Sequence, residues 1–270
     1  MSDFTNSSLW AREEVERLKQ MARDNGVEVD NLPDDFLEKR EAAFRENQDK
    51  EFMRLRQRVY FKHSLWGGAS FGKFTFDDWL PEKQKEVQKA KKIKQQGLAI
   101  ATALETKSFN VFFAGGAGTG KTVLSLAIAN HLKGSKTFMF ISTPELYRLV
   151  VDYNESEDTR IRNKIKRKNI ERAMYECDVL LLDDFGSETG MISGFKEAAN
   201  AYQIYLLGMI NKRNDSKDDQ GNRNKATIVT SNNSFMELQK MFNSKLLDRL
   251  ITKTPDNSII FSGLESLREV

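Results

Sequence analysis

The order of apolar and polar residues divides the chain into a charged helical part and an alternating part. Before residue 60, apolar residues recur at helical spacing among many charges, and Phe44, Leu55 and Val59 belong to one such stripe. After residue 110, short apolar runs alternate with helical patterns. The strand candidates are 110–114, 136–142, 179–183, 226–231 and 257–262. This alternation predicts an α/β fold with a five-stranded parallel sheet, preceded by a small α-helical domain.

The same pattern predicts three regions. Residues 1–60 form a helical N-terminal domain, 61–82 a connector rich in glycine and aromatic residues, and 83–270 the α/β domain. About 60 residues of helix bury little apolar surface by themselves. The stripe in the first region therefore packs within the chain or docks onto a partner.

A glycine-rich loop follows the first predicted strand. Between Gly115 and Thr122 the sequence reads G-G-A-G-T-G-K-T, a complete Walker A motif between a strand and a helix. Glycines let the backbone wrap around a phosphate chain, and N–H groups at a helix N-terminus attract the anion. Lys121 is predicted to reach the β- and γ-phosphates of ATP, and Thr122 to hold Mg²⁺. The predicted nucleotide-binding residues are Gly115, Gly116, Ala117, Gly118, Thr119, Gly120, Lys121, Thr122 and Val123.

Two carboxylates follow a later apolar run. Asp183 and Asp184 end the sequence D-V-L-L-L-D-D, which is the form of a Walker B strand. The carboxyl end of such a strand opens toward the phosphate crevice. Asp183 is predicted to hold Mg²⁺, and Asp184 to orient or deprotonate the water that attacks the γ-phosphate. Together the two motifs predict an ATPase that uses ATP and Mg²⁺.

Composition excludes several other classes of protein. The net charge of +3 is too small to identify a partner, and the two histidines are too few for a metal site. The single cysteine, Cys177, excludes a disulfide framework and suits a reducing cytoplasm. No apolar run approaches the ~18 residues of a membrane helix, so we expect no membrane association.

The order of the motifs resembles one known family. From about His63 to the C-terminus, the chain resembles the DnaC/DnaI-type bacterial helicase loaders, AAA+ ATPases related to IstB-like transposition ATPases. A strand between the two Walker motifs is typical of the P-loop ATPases that include AAA+ proteins. The motifs that carry the resemblance are A-S-F-x-x-F, G-G-A-G-T-G-K-T, L-L-L-D-D-F-G-S-E, V-T-S-N, L-L-D-R-L and L-E-S-L-R.

The resemblance implies roles for three more residues. Asn232 corresponds to sensor 1, whose amide positions the attacking water. Arg249 corresponds to the arginine finger that reaches the γ-phosphate held by a neighbouring subunit. Arg268 corresponds to a sensor-2-like residue that contacts the nucleotide. The alternatives are a turn asparagine, a surface ion pair and a frayed terminus, respectively.

The resemblance also implies a function. The protein would bind a replicative hexameric DNA helicase and assist its deposition on single-stranded DNA, as a homo-oligomeric spiral or ring in a bacterial cytoplasm. If the chain is phage-encoded, the cytoplasm is that of the host. An ATPase partner of a transposase and a non-catalytic ATP-binding adaptor are the alternatives. The chain departs from the family where Asp184 replaces the usual glutamate, and it lacks the cysteines of the zinc domain that some loaders carry.

A basic segment precedes the Walker B strand, where the resemblance implies an extra helical element that helps to line a path for single-stranded DNA. Basic side chains neutralise phosphates, and aromatic rings stack on bases. A solvated insertion helix is the alternative interpretation. The candidate DNA-binding residues are Tyr153, Lys164, Lys166, Arg167, Phe195 and Tyr202.

Overall fold

The computed structural model of this chain describes residues 16, 17, 19–21, 23, 24, 36–68, 74–151, 157–189 and 197–266. The chain divides into two compact units, Met1–Glu51 and Phe52–Val270. The first unit is helical in its described residues, and helix α1 (Phe36–His63) includes residues of both units. The domain bounds expected from the sequence stay a prediction.

A five-stranded parallel sheet forms the centre of the second unit. Its order is β2-β3-β4-β1-β5, and every neighbouring pair is parallel. The predicted α/β fold and its five strands are therefore confirmed. The strands are β1 (Asn110–Ala114), β2 (Phe138–Ser142), β3 (Val179–Asp183), β4 (Ala226–Ser231) and β5 (Ser258–Ile260).

Helices cover both faces of the sheet. Leu180 and Leu182 of β3 contribute to the apolar core on one face, whereas Val179 and Leu181 contribute to the core on the other. Strands that are buried on both faces need such continuous apolar runs. The remaining helices are α2 (Val87–Thr106), α3 (Lys121–His131), α4 (Thr143–Val151), α5 (Glu157–Glu176), α6 (Asn200–Asp215), α7 (Phe235–Met241) and α8 (Ser244–Leu250). Among the described residues, no helix has the length and apolar character that a membrane span requires.

The segment from Gln57 to Trp66 covers the edge strand β2. The Gln57 side chain accepts a hydrogen bond from Phe138 N–H and donates one to Phe138 O, both at 2.8 Å. Leu65 pairs with the strand through hydrogen bonds to Phe140 O at 2.9 Å and from Ser142 N–H at 2.7 Å. The Trp66 ring stacks on Phe140 at 4.8 Å between centroids. The end of α1 is thus part of the unit that contains the sheet.

Candidate nucleotide-binding site

The phosphate loop connects the last residue of β1 to the first turn of α3. Gly118 and Gly120 have φ values of 78° and 95°, which lie in the left-handed region that glycine adopts without strain. A side chain at Gly120 would also collide with the Trp79 ring. Glycine is therefore required here by the backbone path, and at Gly120 by the packing as well.

Lys121 is buried, with 6% of its surface exposed, and bonds to groups around the loop. Its Nζ donates to Gly115 O at 2.8 Å, Gly116 O at 2.7 Å and Asn232 Oδ1 at 2.8 Å. An ammonium group only donates hydrogen bonds, and it has three hydrogens to donate. Lys121 must exchange some of these bonds to contact a phosphate.

Thr122 and Asp183 form the oxygen pair that is predicted to hold Mg²⁺. Thr122 Oγ1 donates to Asp183 Oδ1 at 2.8 Å. Burial raises the pKa of the Asp183 carboxyl, and hydrogen bonds from Thr230 and Thr122 oppose that rise. A hydroxyl and a carboxylate are oxygen ligands of the kind that Mg²⁺ prefers. The donor set therefore fits the ion, while its role stays a prediction.

Thr230 is a site residue that the sequence pattern did not single out. Its Oγ1 donates to Asp183 Oδ1 at 2.7 Å and accepts from Asp184 N–H at 3.0 Å. The hydroxyl thus orients both carboxylate residues from the neighbouring strand β4. The two-residue period of a strand, applied back from Asn232, would have placed Thr230 on the same side.

Asn232 connects Lys121 to Asp184. Its Nδ2 donates to Asp184 Oδ1 at 2.6 Å, while its Oδ1 accepts from Lys121 Nζ. Asp184 has φ 63° and is the only described non-glycine residue with positive φ. Such backbone strain is concentrated at functional sites. The three side chains form a hydrogen-bonded chain between the predicted phosphate-binding group and the predicted base.

These side chains line a cavity of about 660 Å³. Trp66, Phe74 and Trp79 also line this cavity, beside the phosphate loop. A cavity of about 750 Å³ between α5 and α6 contains none of the predicted nucleotide-site residues.

Glu188 is a second residue near the site that the sequence pattern did not single out. It lies in the 3₁₀ turn Ser187–Thr189, which begins four residues after the end of the Walker B strand. Its Oε2 accepts from Gly186 N–H at 2.9 Å and from Thr143 Oγ1 at 3.0 Å. Burial raises its pKa to about 7. Glu188 thus connects the turn after the Walker B strand to the start of α4. The only sequence feature that could have pointed to this residue is its place in the motif L-L-L-D-D-F-G-S-E.

Arg249 lies outside the cavity of its own chain. Its side chain is exposed on α8, and its backbone oxygen accepts a hydrogen bond from Asn110, the first residue of β1. The phosphate loop follows Ala114, the last residue of the same strand. The predicted finger and the predicted phosphate site are therefore at opposite ends of β1.

The predicted DNA-binding residues divide into three groups. Lys164 and Lys166 are exposed on α5, and Arg167 is half-buried there. The stacking role of Tyr202 is wrong, because its ring is 0% exposed in the core beneath α4 and cannot meet a base. Tyr153, Phe195 and the predicted nucleotide residue Arg268 lie outside the described residues.

One family model matches the chain and several solved structures are similar to it. The model, described as IstB-like ATP binding protein, matches residues 15–267. A DNA replication initiation factor has a TM-score of 0.49 and 18% identity, over 66% of this chain and 47% of that one. The replication initiator DnaA bound to AMPPCP and single-stranded DNA has a TM-score of 0.49 and 17% identity, over 70% and 49%. The DnaC helicase loader has a TM-score of 0.47 and 19% identity, over 71% and 97%.

This chain spans about half the length of the two initiator structures. Comparison with curated proteins finds no significant match. The family model covers nearly the whole chain and includes the phosphate loop, both Walker B carboxylates and Asn232. The predicted relation to the IstB-like proteins is thus confirmed, and the chain belongs to the family of IstB-like ATP binding proteins.

Proposed function

We propose that this protein is an AAA+ ATPase that binds a replicative helicase and helps to place it on single-stranded DNA. Membership of the ATP-binding family supports the nucleotide. The hydrogen-bonded chain from Lys121 through Asn232 to Asp184 carries the proposal of hydrolysis, because it joins a phosphate-binding group to a base. The order of the sequence motifs resembles that of the helicase loaders, and this supports a helicase as the partner.

ATP binding would rearrange this hydrogen-bonded chain. Lys121 would exchange the loop carbonyls and Asn232 Oδ1 for oxygens of the β- and γ-phosphates. The released Asn232 Oδ1 could then accept a hydrogen bond from the attacking water, while Asp184 orients that water or takes its proton. Thr122 and Asp183 would hold Mg²⁺, which when bound neutralises charge on the phosphate oxygens.

The position of Arg249 supports a site that two copies share. An exposed arginine at the far end of β1 cannot serve its own cavity without a large rearrangement, but it is available to a neighbouring copy. An arginine supplied in trans stabilises the charge of the transition state. We therefore propose a homo-oligomer in which each copy contributes a finger to the next.

Two surfaces are proposed for the two larger partners. Phe44 of the first unit is 62% exposed, and Leu55 and Val59 of the second unit are 50% and 51% exposed, so each side chain is available to the helicase. Lys164, Lys166 and Arg167 of α5 are proposed to contact phosphates of single-stranded DNA. This function would be exercised in a bacterial cytoplasm.

Substitutions in the full-length protein separate the two surfaces. Serine at the three stripe positions should abolish co-sedimentation with the helicase. Binding to labelled single-stranded DNA, measured by fluorescence anisotropy, should be unchanged. Glutamate at the three basic positions should weaken ATP-dependent DNA binding, most clearly at low salt, and leave helicase binding unchanged. The control for the stripe replaces three exposed apolar residues elsewhere, in the variant Leu98→Ser with Ile204→Ser and Met236→Ser. The control for the basic patch reverses the charge of three exposed lysines on or near α2, in the variant Lys83→Glu with Lys91→Glu and Lys92→Glu.

Two outcomes would overturn these assignments. If the stripe variant still binds the helicase as the parent does, the docking surface is wrong. If the basic variant and its lysine control lose DNA affinity equally, only net charge matters and α5 has no special role.

A second candidate is an ATPase partner of a transposase, which the description of the matching family model favours. The nucleotide motifs are common to both candidates. Capture of partners from the native host with full-length protein and ATP distinguishes them, since recovery of a transposase without a helicase supports the second candidate. A non-catalytic adaptor would show no ATP turnover with or without single-stranded DNA.

A further inference from the structure

We propose that Asn110, Asn214 and Arg223 are positioning residues, which hold α8 so that Arg249 reaches the ATP site of a neighbouring copy. This inference rests on the proposed role of Arg249 in trans. We call the three side chains the asparagine clamp. None of them belongs to a motif, and the polar loop around Arg223 had no predicted chemistry.

Arg223 is the hub of the asparagine clamp. Its Nη2 donates to Asn110 Oδ1 at 2.9 Å and to Asn214 Oδ1 at 2.6 Å. Asn214 Nδ2 then donates to Arg249 O at 2.8 Å. Asn110 Nδ2 donates to Arg249 O at 2.9 Å and to Leu250 O at 3.0 Å. Both amides thus connect one guanidinium to the last turn of the helix that carries Arg249.

The chemistry of these groups allows only one orientation of each amide. A guanidinium is a donor only, and a backbone carbonyl is an acceptor only. Each asparagine oxygen must therefore face Arg223, and each asparagine nitrogen must face α8. A side chain that only donates or only accepts cannot replace this bridge.

The clamp satisfies groups that a helix leaves unpaired. The last carbonyls of a helix have no partner within the helix, and a nearby positive charge interacts favourably with that end. The clamp supplies three hydrogen bonds to Arg249 O and Leu250 O, with the Arg223 cation behind them. Burial lowers the pKa of Arg223, and its Nε is a buried atom without a hydrogen-bond partner among the described residues. A buried donor without a partner costs free energy.

Apolar packing alone does not fix the direction of Arg249. Leu246, Leu247 and Leu250 bury one face of α8, but apolar contacts are not directional. Hydrogen bonds to the carbonyl of Arg249 itself fix the rotation and the axial position of the helix at that residue. Because Asn110 begins β1, the same bonds relate the finger to the strand that leads into the phosphate loop. The clamp would therefore set the distance, within one copy, between its own phosphate loop and the Arg249 that serves the neighbouring copy.

Asn214→Asp tests the clamp directly. The aspartate keeps its shape and its contact with Arg223, but it presents an oxygen to Arg249 O where Nδ2 donated. We expect kcat of the assembled protein to fall about tenfold or more, since a small misplacement of a catalytic group costs up to about 10²-fold. ATP affinity of the isolated chain should be unchanged. Asn224→Asp is the matched control, because Asn224 lies in the same loop and its Oδ1, which aspartate retains, accepts a hydrogen bond from Ser216 Oγ.

Mixtures of variants distinguish positioning from a general structural defect. An Asn214→Asp chain would keep a good phosphate loop and have a poor finger, so Lys121→Ala chains should restore its activity. Arg249→Ala chains should not restore it, because every finger in that mixture is defective. A general defect would depress both mixtures, and that result would overturn the inference.

Other results separate the shared site from the clamp. If Arg249→Ala hydrolyses ATP as the parent does, the proposed shared site fails, and the clamp has nothing to position. If Arg249→Ala is inactive while Asn214→Asp matches Asn224→Asp, the clamp is overturned and the role of Arg249 as a finger is retained. If Asn214→Asp does not fold by circular dichroism, Arg223→Lys replaces it in every assay. Parental kcat in Arg223→Lys would then overturn the inference.

Discussion

The two ends of β1 are built in different ways. At the carboxyl end, Ala114 leads into one contiguous loop whose backbone and Lys121 form the nucleotide site. At the amino end, Asn110 accepts a hydrogen bond from Arg223, which is 113 positions away in the sequence. A phosphate site needs successive backbone N–H groups and is therefore local, whereas a helix can be held by polar side chains from anywhere in the chain.

This difference implies a division of labour between the ends. Changes at the carboxyl end should alter nucleotide binding or chemistry in the chain that carries them. Changes at the amino end should leave nucleotide binding intact and alter chemistry only in the neighbouring copy.

The largest effect is expected at the amino end. Arg249→Ala should lower kcat of the assembled protein about 10³-fold, because an arginine finger contributes on that order, and should leave ATP affinity of the isolated chain unchanged. Phosphate release and nucleotide titration measure the two quantities. Lys245→Ala removes another exposed cation of α8 and serves as the control. An equal loss in both variants would show that charge, and not the finger, is responsible.

At the carboxyl end, Asp184→Asn should lower kcat about 10²-fold or more, because an amide cannot accept the proton of the attacking water. Asparagine tolerates the left-handed backbone that this position requires, so the loop should keep its shape. ATP binding should persist. Parental turnover in single-turnover assays would remove Asp184 from the proposed mechanism.

A smaller effect is expected from Thr230→Val at the same end. Valine keeps the shape of the side chain but removes the donor to Asp183 and the acceptor for Asp184 N–H. We expect kcat to fall about tenfold, since one buried group left unpaired costs about 1–3 kcal/mol. The Mg²⁺ concentration for half-maximal activity should rise. Thr230→Ser should restore both values, and failure of serine to do so would indicate a packing defect.

The fold and the carboxyl end could be predicted because their signals are local. Each strand is a continuous apolar run, and Lys121, Thr122, Asp183 and Asp184 lie in two short motifs. The structure brings these side chains together with Asn232, while their roles stay predictions.

The amino end could not be predicted, because Asn110, Asn214 and Arg223 have no shared spacing.

Tyr202 was assigned to DNA although Leu206, Met209 and Ile210 continue a helical apolar stripe from it, and all four side chains are buried. That stripe predicts burial and should have excluded the tyrosine from a DNA surface.

The smallest effect is on stability and concerns Glu188. Burial raises the pKa of this carboxyl from 4.5 to about 7, so the folded state favours its neutral form. Its contribution to stability is complete below pH 4.5 and is lost as the pH rises through about 7. Glu188→Gln should therefore raise the Tm at pH 8 by about 2–4 °C and change little at pH 4. An equal change at both pH values would show that titration of Glu188 does not contribute.

ATP turnover by mixtures of Arg249→Ala and Lys121→Ala tests the shared site most directly. The first variant keeps an intact phosphate loop, and the second keeps an intact finger. Each should be inactive alone, in the presence of helicase and single-stranded DNA, while mixtures should recover activity with a maximum near equal proportions. No recovery at any ratio, with mixed assemblies confirmed by sedimentation, would contradict a site shared between copies.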